Sequence, residues 1–162
     1  MDFFYPNLQN DMWRIFGLIF FKDKDYFLTT DKKAFNKNLL INFLTKRGIA
    51  LYDTASSIRR LRDNASDKFL EIVTPTDIST LLRQLPQCKA IVATGQKATD
   101  IIRDQIKVDE PKVGKYCPFE FEDRLLHLYR MPSSSRAYPL PIEKKMSAYQ
   151  FMFRQLGLVN EE

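Results

Sequence analysis

LLHLYRMPSSSRAY, residues Leu125 to Tyr138, decides how the rest of the chain is read. Its apolar run ends at Met131, Pro132 cannot continue a strand ladder, and Ser133, Ser134, Ser135 and Arg136 follow before a helical pattern resumes near Pro141. A strand that feeds a hydroxyl-rich loop and opens onto a helix can hold phosphate or another anion, because amides, hydroxyls and a guanidinium converge there. The same residue types also make an ordinary turn and helix cap.

Phe119 to Phe121 and Leu125 to Met131 read as an antiparallel pair turning at Glu122-Asp123. Upstream, Cys88 to Ala93 is a strand followed at once by Thr94-Gly95-Gln96-Lys97 and a helix to about Ile106. One glycine does not make a Gly-rich phosphate fingerprint, so no nucleotide cofactor is expected. Residues 107–116 read as a polar loop. Downstream, Met146, Tyr149, Met152, Phe153 and Leu156 form the inner face of a helix over 142–156.

Nearer the N-terminus, Thr76 caps a helix that Pro86 closes. Ile49 to Tyr52 reads as a short buried strand with Asp53-Thr54 at its carboxyl end, where open α/β sheets place their chemistry. Residues 56–68, SSIRRLRDNASDK, read as a basic loop for a polyanion or as a solvated face. Phe35, Leu39, Leu40, Phe43 and Leu44 give a helix stopped by Gly48, and Met12, Ile15, Phe16 and Ile19 give another, with Asp11 as its cap. The chain opens on MDFFYP, three aromatics and a proline where a terminus is usually polar.

At 162 residues with 44% hydrophobic content, one domain with a substantial core is expected. The +5 formal charge mildly favours a polyanionic partner. Cys88 and Cys117, each beside apolar runs, read as two buried thiols in a reducing compartment, and the protein is expected to be cytoplasmic. No apolar stretch approaches the roughly 18 residues needed to cross a bilayer. His127, inside a strand and without ligand-spaced Cys or acidic residues, reads as a structural histidine, so no metal is expected. Serine hydrolysis lacks a G-x-S-x-G elbow, and Glu120 with Glu122 reads as a solvated rim rather than a catalytic pair.

With Phe3 to Pro6, Thr94 to Ala98 and Met131 to Arg136 in view, the sequence resembles the uracil-DNA glycosylase superfamily, closest to its mismatch-specific uracil and hypoxanthine branches. The resemblance runs from Asp2 to about Leu156 and rests on the order of several weak motifs. It implies a three-layer α/β/α sandwich with a short, mostly parallel central sheet, no metal or nucleotide cofactor, and hydrolysis of the N-glycosidic bond of a deaminated base, uracil or hypoxanthine. The partner it implies is double-stranded DNA carrying a damaged or mismatched base.

By position, the resemblance makes Phe3 the aromatic that stacks on the extruded base, with Tyr5 and Pro6 shaping the pocket mouth. It makes Ser133, Ser134 and Ser135 the DNA-backbone contacts and Arg136 the phosphate-contacting or groove-inserting side chain, with Gln96 and Lys97 approaching the backbone from the second loop. Two departures follow. Met131 stands where histidine or asparagine is usual, and the strand and loop that carry the first motif would precede Met1, so the chain reads as an N-terminally shortened version of a longer protein. Asp53, Asn64 and Asp67 are then the candidates for positioning water. The rival readings are a catalytically silent DNA-binding module of the same fold and an α/β protein whose serine loop binds a phosphorylated metabolite.

Overall fold

The computed structural model describes residues 4–52, 55–60 and 70–159. In chain order these form α1 (Met12–Phe21), α2 (Lys37–Arg47), β1 (Ala55–Arg60), β2 (Leu70–Pro75), α3 (Ile78–Gln84), β3 (Ala90–Thr94), α4 (Gln96–Gln105), β4 (Lys115–Phe121), β5 (Arg124–Met131) and α5 (Ile142–Gln155). They divide into two compact units, Met1–Tyr52 with Ser134–Glu162, and Asp53–Ser133.

The first unit is helical and aromatic. In α1, MWRIFGLIFF, the residues Met12, Trp13, Ile15, Phe16 and Ile19 are buried. Phe16 meets Phe153 of α5 edge-on at 5.3 Å and Phe43 of α2 at 6.3 Å, and Phe27 meets Trp13 and Phe43. Edge-to-face rings with centroids about 4.5–7 Å apart add to the area they bury, so the rings join Ile15, Ile19 and Leu40 in closing the core. Asn36 caps α2 by accepting from the Leu39 amide, and Gly48, at φ 70°, ends it.

The second unit carries the sheet. β3 runs parallel to β5, β5 runs antiparallel to β4, and the order is β3-β5-β4. β1 and β2 form a separate antiparallel pair, with Ala55 opposite Pro75 and Arg60 opposite Leu70. Ile78 and Leu82 of α3 and Ile102 of α4 pack with Ala93, Phe119, Leu126 and Leu128 on one face of the three-stranded sheet.

This corrects the expected mostly parallel three-layer sandwich. The chain has an α/β fold whose described three-stranded sheet is mixed and mostly antiparallel. The cause is local. Glu122 and Asp123 both adopt positive φ, 47° and 66°, the pattern of a two-residue type I′ hairpin, and such a turn returns the chain antiparallel. Only the longer route from β3 through α4 leaves room for a parallel neighbour.

Smaller expectations change as well. Ile49 to Tyr52 is not a strand: the Ile49 amide closes the end of α2 on the Leu44 carbonyl at 3.0 Å, and Tyr52 is 55% exposed. Residues 56–60, part of the stretch read as a basic loop or a solvated face, lie in β1. The cap of α3 is Asp77, which accepts from the Thr80 amide, rather than Thr76. Asp11 makes no capping bond, and the Met12 amide donates instead to Asn10 Oδ1 at 2.9 Å. Cys88 and Cys117 are half-buried rather than buried.

Candidate nucleic-acid interface

The first unit brings together two segments that lie far apart in sequence. Asn10 and Ser135 form an antiparallel bridge, the Asp11 amide donates to the Ser134 carbonyl at 2.8 Å, and the Arg136 amide donates to the Gln9 carbonyl at 3.0 Å. The main chain entering α1 and the main chain of the serine loop are therefore stitched side by side. Pro132 has ended the strand before this point, so the loop's amides and carbonyls are available for pairing with residues 9–11.

Asp11 is the electrostatic centre of the junction. Its Oδ1 accepts from Arg14 Nη1 and from Arg136 Nε, both at 3.1 Å, across 125 residues in the second case. Arg14 is largely enclosed and also donates to the Leu8 and Asn10 carbonyls. Arg136 differs, since it binds through Nε alone and its side chain is 48% exposed. No described residue bonds its Nη1 or Nη2, so the planar fork suited to a phosphate or carboxylate points free of the ion pair.

Beneath the loop lies Lys145 of α5, 1% exposed, donating from Nζ to the Ser135 carbonyl at 2.9 Å and lying 5.8 Å from the centre of the Tyr138 ring. Burial holds its ammonium below the ordinary lysine range. Asp11 opposes that shift and Arg136 adds to it. Periodicity assigns the inner face of α5 to Met146, yet the fully buried residue one turn before Tyr149 is Lys145. The signal for it was the i, i+4 spacing from Tyr149, hidden because lysine is read as polar.

Tyr5 and Pro6 are half-buried. Tyr5 takes φ 52°, meets Trp13 edge-on at 6.0 Å, and follows Phe4, whose carbonyl accepts from Trp13 Nε1 at 3.1 Å. A bulky residue at positive φ holds strain that its surroundings must impose. Ser134 is 2% exposed, which keeps its hydroxyl from a ligand, whereas Ser135 Oγ accepts from the Ala137 amide. Phe3, Asp53, Asn64 and Asp67 lie outside the described residues.

In the second unit, Gln96 and Lys97 open α4 after Gly95, whose amide donates to the Met131 carbonyl and whose φ of 96° favours glycine. Ser133 lies beside Gly95, 3.6 Å from where a side chain there would begin. Gln96 is engaged by Asp100, Glu110 and Arg130, and its amide holds the Glu110 carboxyl below its usual range. Its side chain is thus committed to a local network rather than offered outward.

Among the described residues, no cluster of His, Cys, Asp and Glu could hold a metal ion, and no helix is long and apolar enough to cross a membrane. No protein-family model matches the chain, and no curated protein or solved structure is significantly similar to it.

Proposed function

We propose that the protein binds DNA and removes a deaminated base, uracil or hypoxanthine, by hydrolysing its N-glycosidic bond. The observation that carries this reading is the stitching of residues 9–11 to residues 134–136, which lays the chain entering α1 beside the serine-arginine loop. A base-excising protein needs both parts together: a flat partner for the extruded base and a cationic grip on the flanking backbone. Tyr5 supplies an aromatic within the described residues, and the Arg136 fork supplies the grip. Support comes also from the +5 charge. The sheet order lends none.

In this reading the backbone is held at Arg136, the base turns out toward Tyr5 and Phe3, and water attacks the developing sugar cation. Asp53, Asn64 and Asp67 are the residues put forward to position that water. Incubation with end-labelled duplexes containing uracil, hypoxanthine or mismatched thymine, followed by hot alkali, tests it. Strand cleavage at the lesion is the expected result, reduced at least tenfold in whichever of Asp53→Asn, Asn64→Ala or Asp67→Asn removes the water-positioning group. Salt-sensitive binding without abasic product would replace the enzyme by a silent DNA-binding module. Absence of both binding and cleavage would overturn the reading.

A further inference from the structure

Two cations, Arg14 and Arg136, pair with the single carboxylate of Asp11, and a third, Lys145, tied to the Ser135 carbonyl, feels the charge of both Asp11 and Arg136. Arg14 is enclosed by that carboxylate and two carbonyls, which leaves Arg136 and Lys145 to account for the local excess of positive charge. A purely structural tie to the Ser135 carbonyl needs only a neutral N–H or O–H. Burying an ammonium for that purpose, next to a guanidinium, is unfavourable unless an anion completes the site.

We infer that Asp11, Arg136 and Lys145 form a preset site for a phosphate oxyanion, in which the Nη fork of Arg136 takes the oxygens, Asp11 aims the fork, and Lys145 supplies a second charge from beneath the loop. The inference rests on the proposed DNA reading only for the source of the phosphate, a phosphodiester. Engaging Asp11 through Nε restrains the guanidinium and leaves both terminal nitrogens without a bond to any described residue, on a side chain that is about half exposed. Lys145 anchors the Ser135 carbonyl and so holds the residue that precedes Arg136. Its role is positional and electrostatic, without direct contact to the ligand.

Lys145 allows charge to be separated from structure. A neutral amine still donates N–H to the Ser135 carbonyl, so deprotonation leaves the loop anchored and removes only the field. The charged groups that face Lys145 are Asp11 and Arg136, with Arg14 on the same carboxylate, and Tyr138 lies over the ammonium. Because burial lowers its pKa, the charge disappears at a lower pH than for a surface lysine, and anion affinity falls as pH rises through that point.

The experiment has two arms on the full chain. Side-chain NMR of the arginines is followed while inorganic phosphate is added, and duplex binding is measured by anisotropy between pH 7 and pH 10 at several salt concentrations. Phosphate is expected to shift the Arg136 Nη signals. Arg136→Gln is expected to abolish that shift and lower the salt slope by about 0.9, one phosphate contact. Lys145→Met is expected to weaken duplex binding at pH 7 by roughly three- to tenfold and to abolish the fall in affinity toward pH 10. Tyr138→Phe, which removes the neighbouring phenol, should keep that fall.

Wild-type affinity that stays flat with pH, or Arg136 signals that ignore phosphate, overturns the site, and neither readout depends on a variant folding. Duplex binding indifferent to Arg136→Gln also overturns it while leaving the DNA reading intact. A phosphate shift at Arg136 with no duplex binding upholds the site and overturns the DNA reading.

Discussion

Gly17 shows how a single residue can be required without touching a ligand. A β-carbon placed there would lie 2.3 Å from the Asp23 carbonyl oxygen, because the chain leaving α1 folds back with Lys22 at φ 57° and the Asp23 amide donating to Gly17. Alanine gains about 1 kcal/mol of helix propensity over glycine, but overlap with backbone costs about 1–3 kcal/mol and cannot be relieved by a rotamer change. Gly17→Ala is therefore expected to lower the thermal midpoint by a few degrees in a melting experiment, against the propensity trend. Tyr149 is fully buried, and desolvation first, then the nearby Tyr5, raises its phenol well above the usual value, while Tyr129 is raised by burial and then by Tyr116. Unfolded, both phenols ionise near pH 10, whereas folded they keep their protons to higher pH, so stability falls as pH climbs beyond about 10. Denaturant midpoints for wild type and Tyr149→Phe across pH 8 to 11 should show the shallower decline in the variant.

Elements are held by contacts of unequal weight. Arg124, at the start of β5, donates to the carbonyls of Leu82, Leu85 and Cys88 at 2.7–2.9 Å, gathering the end of α3 and the approach to β3 onto one guanidinium. Truncation removes three partly buried charge-assisted bonds, although the Leu82 and Leu85 carbonyls still accept from the Leu85 and Cys88 amides. Arg124→Met is expected to cost about 2–4 kcal/mol, read from urea denaturation, with no loss of m-value. The hairpin turn lies at the other extreme. Asp123 holds φ 66° without being glycine, and a type I′ turn favours glycine at that position. Asp123→Gly is expected to leave stability unchanged or raise it by up to about 1 kcal/mol, and a loss greater than that in the same denaturation would refute the turn assignment.

At the scale of the whole molecule, what was legible in the sequence follows the strength of local periodicity. The helices α1, α2, α4 and α5 and the strands β3 and β5 sit within a few residues of where apolar spacing, Gly48, Gly95 and Pro132 put them. β1 was not legible because SSIRR shows neither alternation nor a β-rich composition, and strand pairing that depends on a distant partner leaves no local trace. Sheet direction departs from what the resemblance implies, and the Glu122-Asp123 hairpin is the local signal for the antiparallel pair. In the candidate site, Arg136 was legible as a cation beside serines. Asp11 reads only as a cap and Lys145 falls outside the apolar face assigned to α5, since an ion pair spanning 125 residues and a buried ammonium are tertiary facts.

The first unit is discontinuous, built from chain on both sides of the second. During synthesis, Asp11 emerges 125 residues ahead of Arg136. At about 5–20 residues per second the ribosome therefore holds the aromatic face of α1 without α5 for roughly 6–25 s, long compared with helix formation and collapse. Residues 53–133 are contiguous and can close on themselves in that interval. Nascent chains are thus most exposed to aggregation through α1 just before the serine loop is made, and a chaperone that shields aromatic helices would improve yield more than one acting on the finished protein.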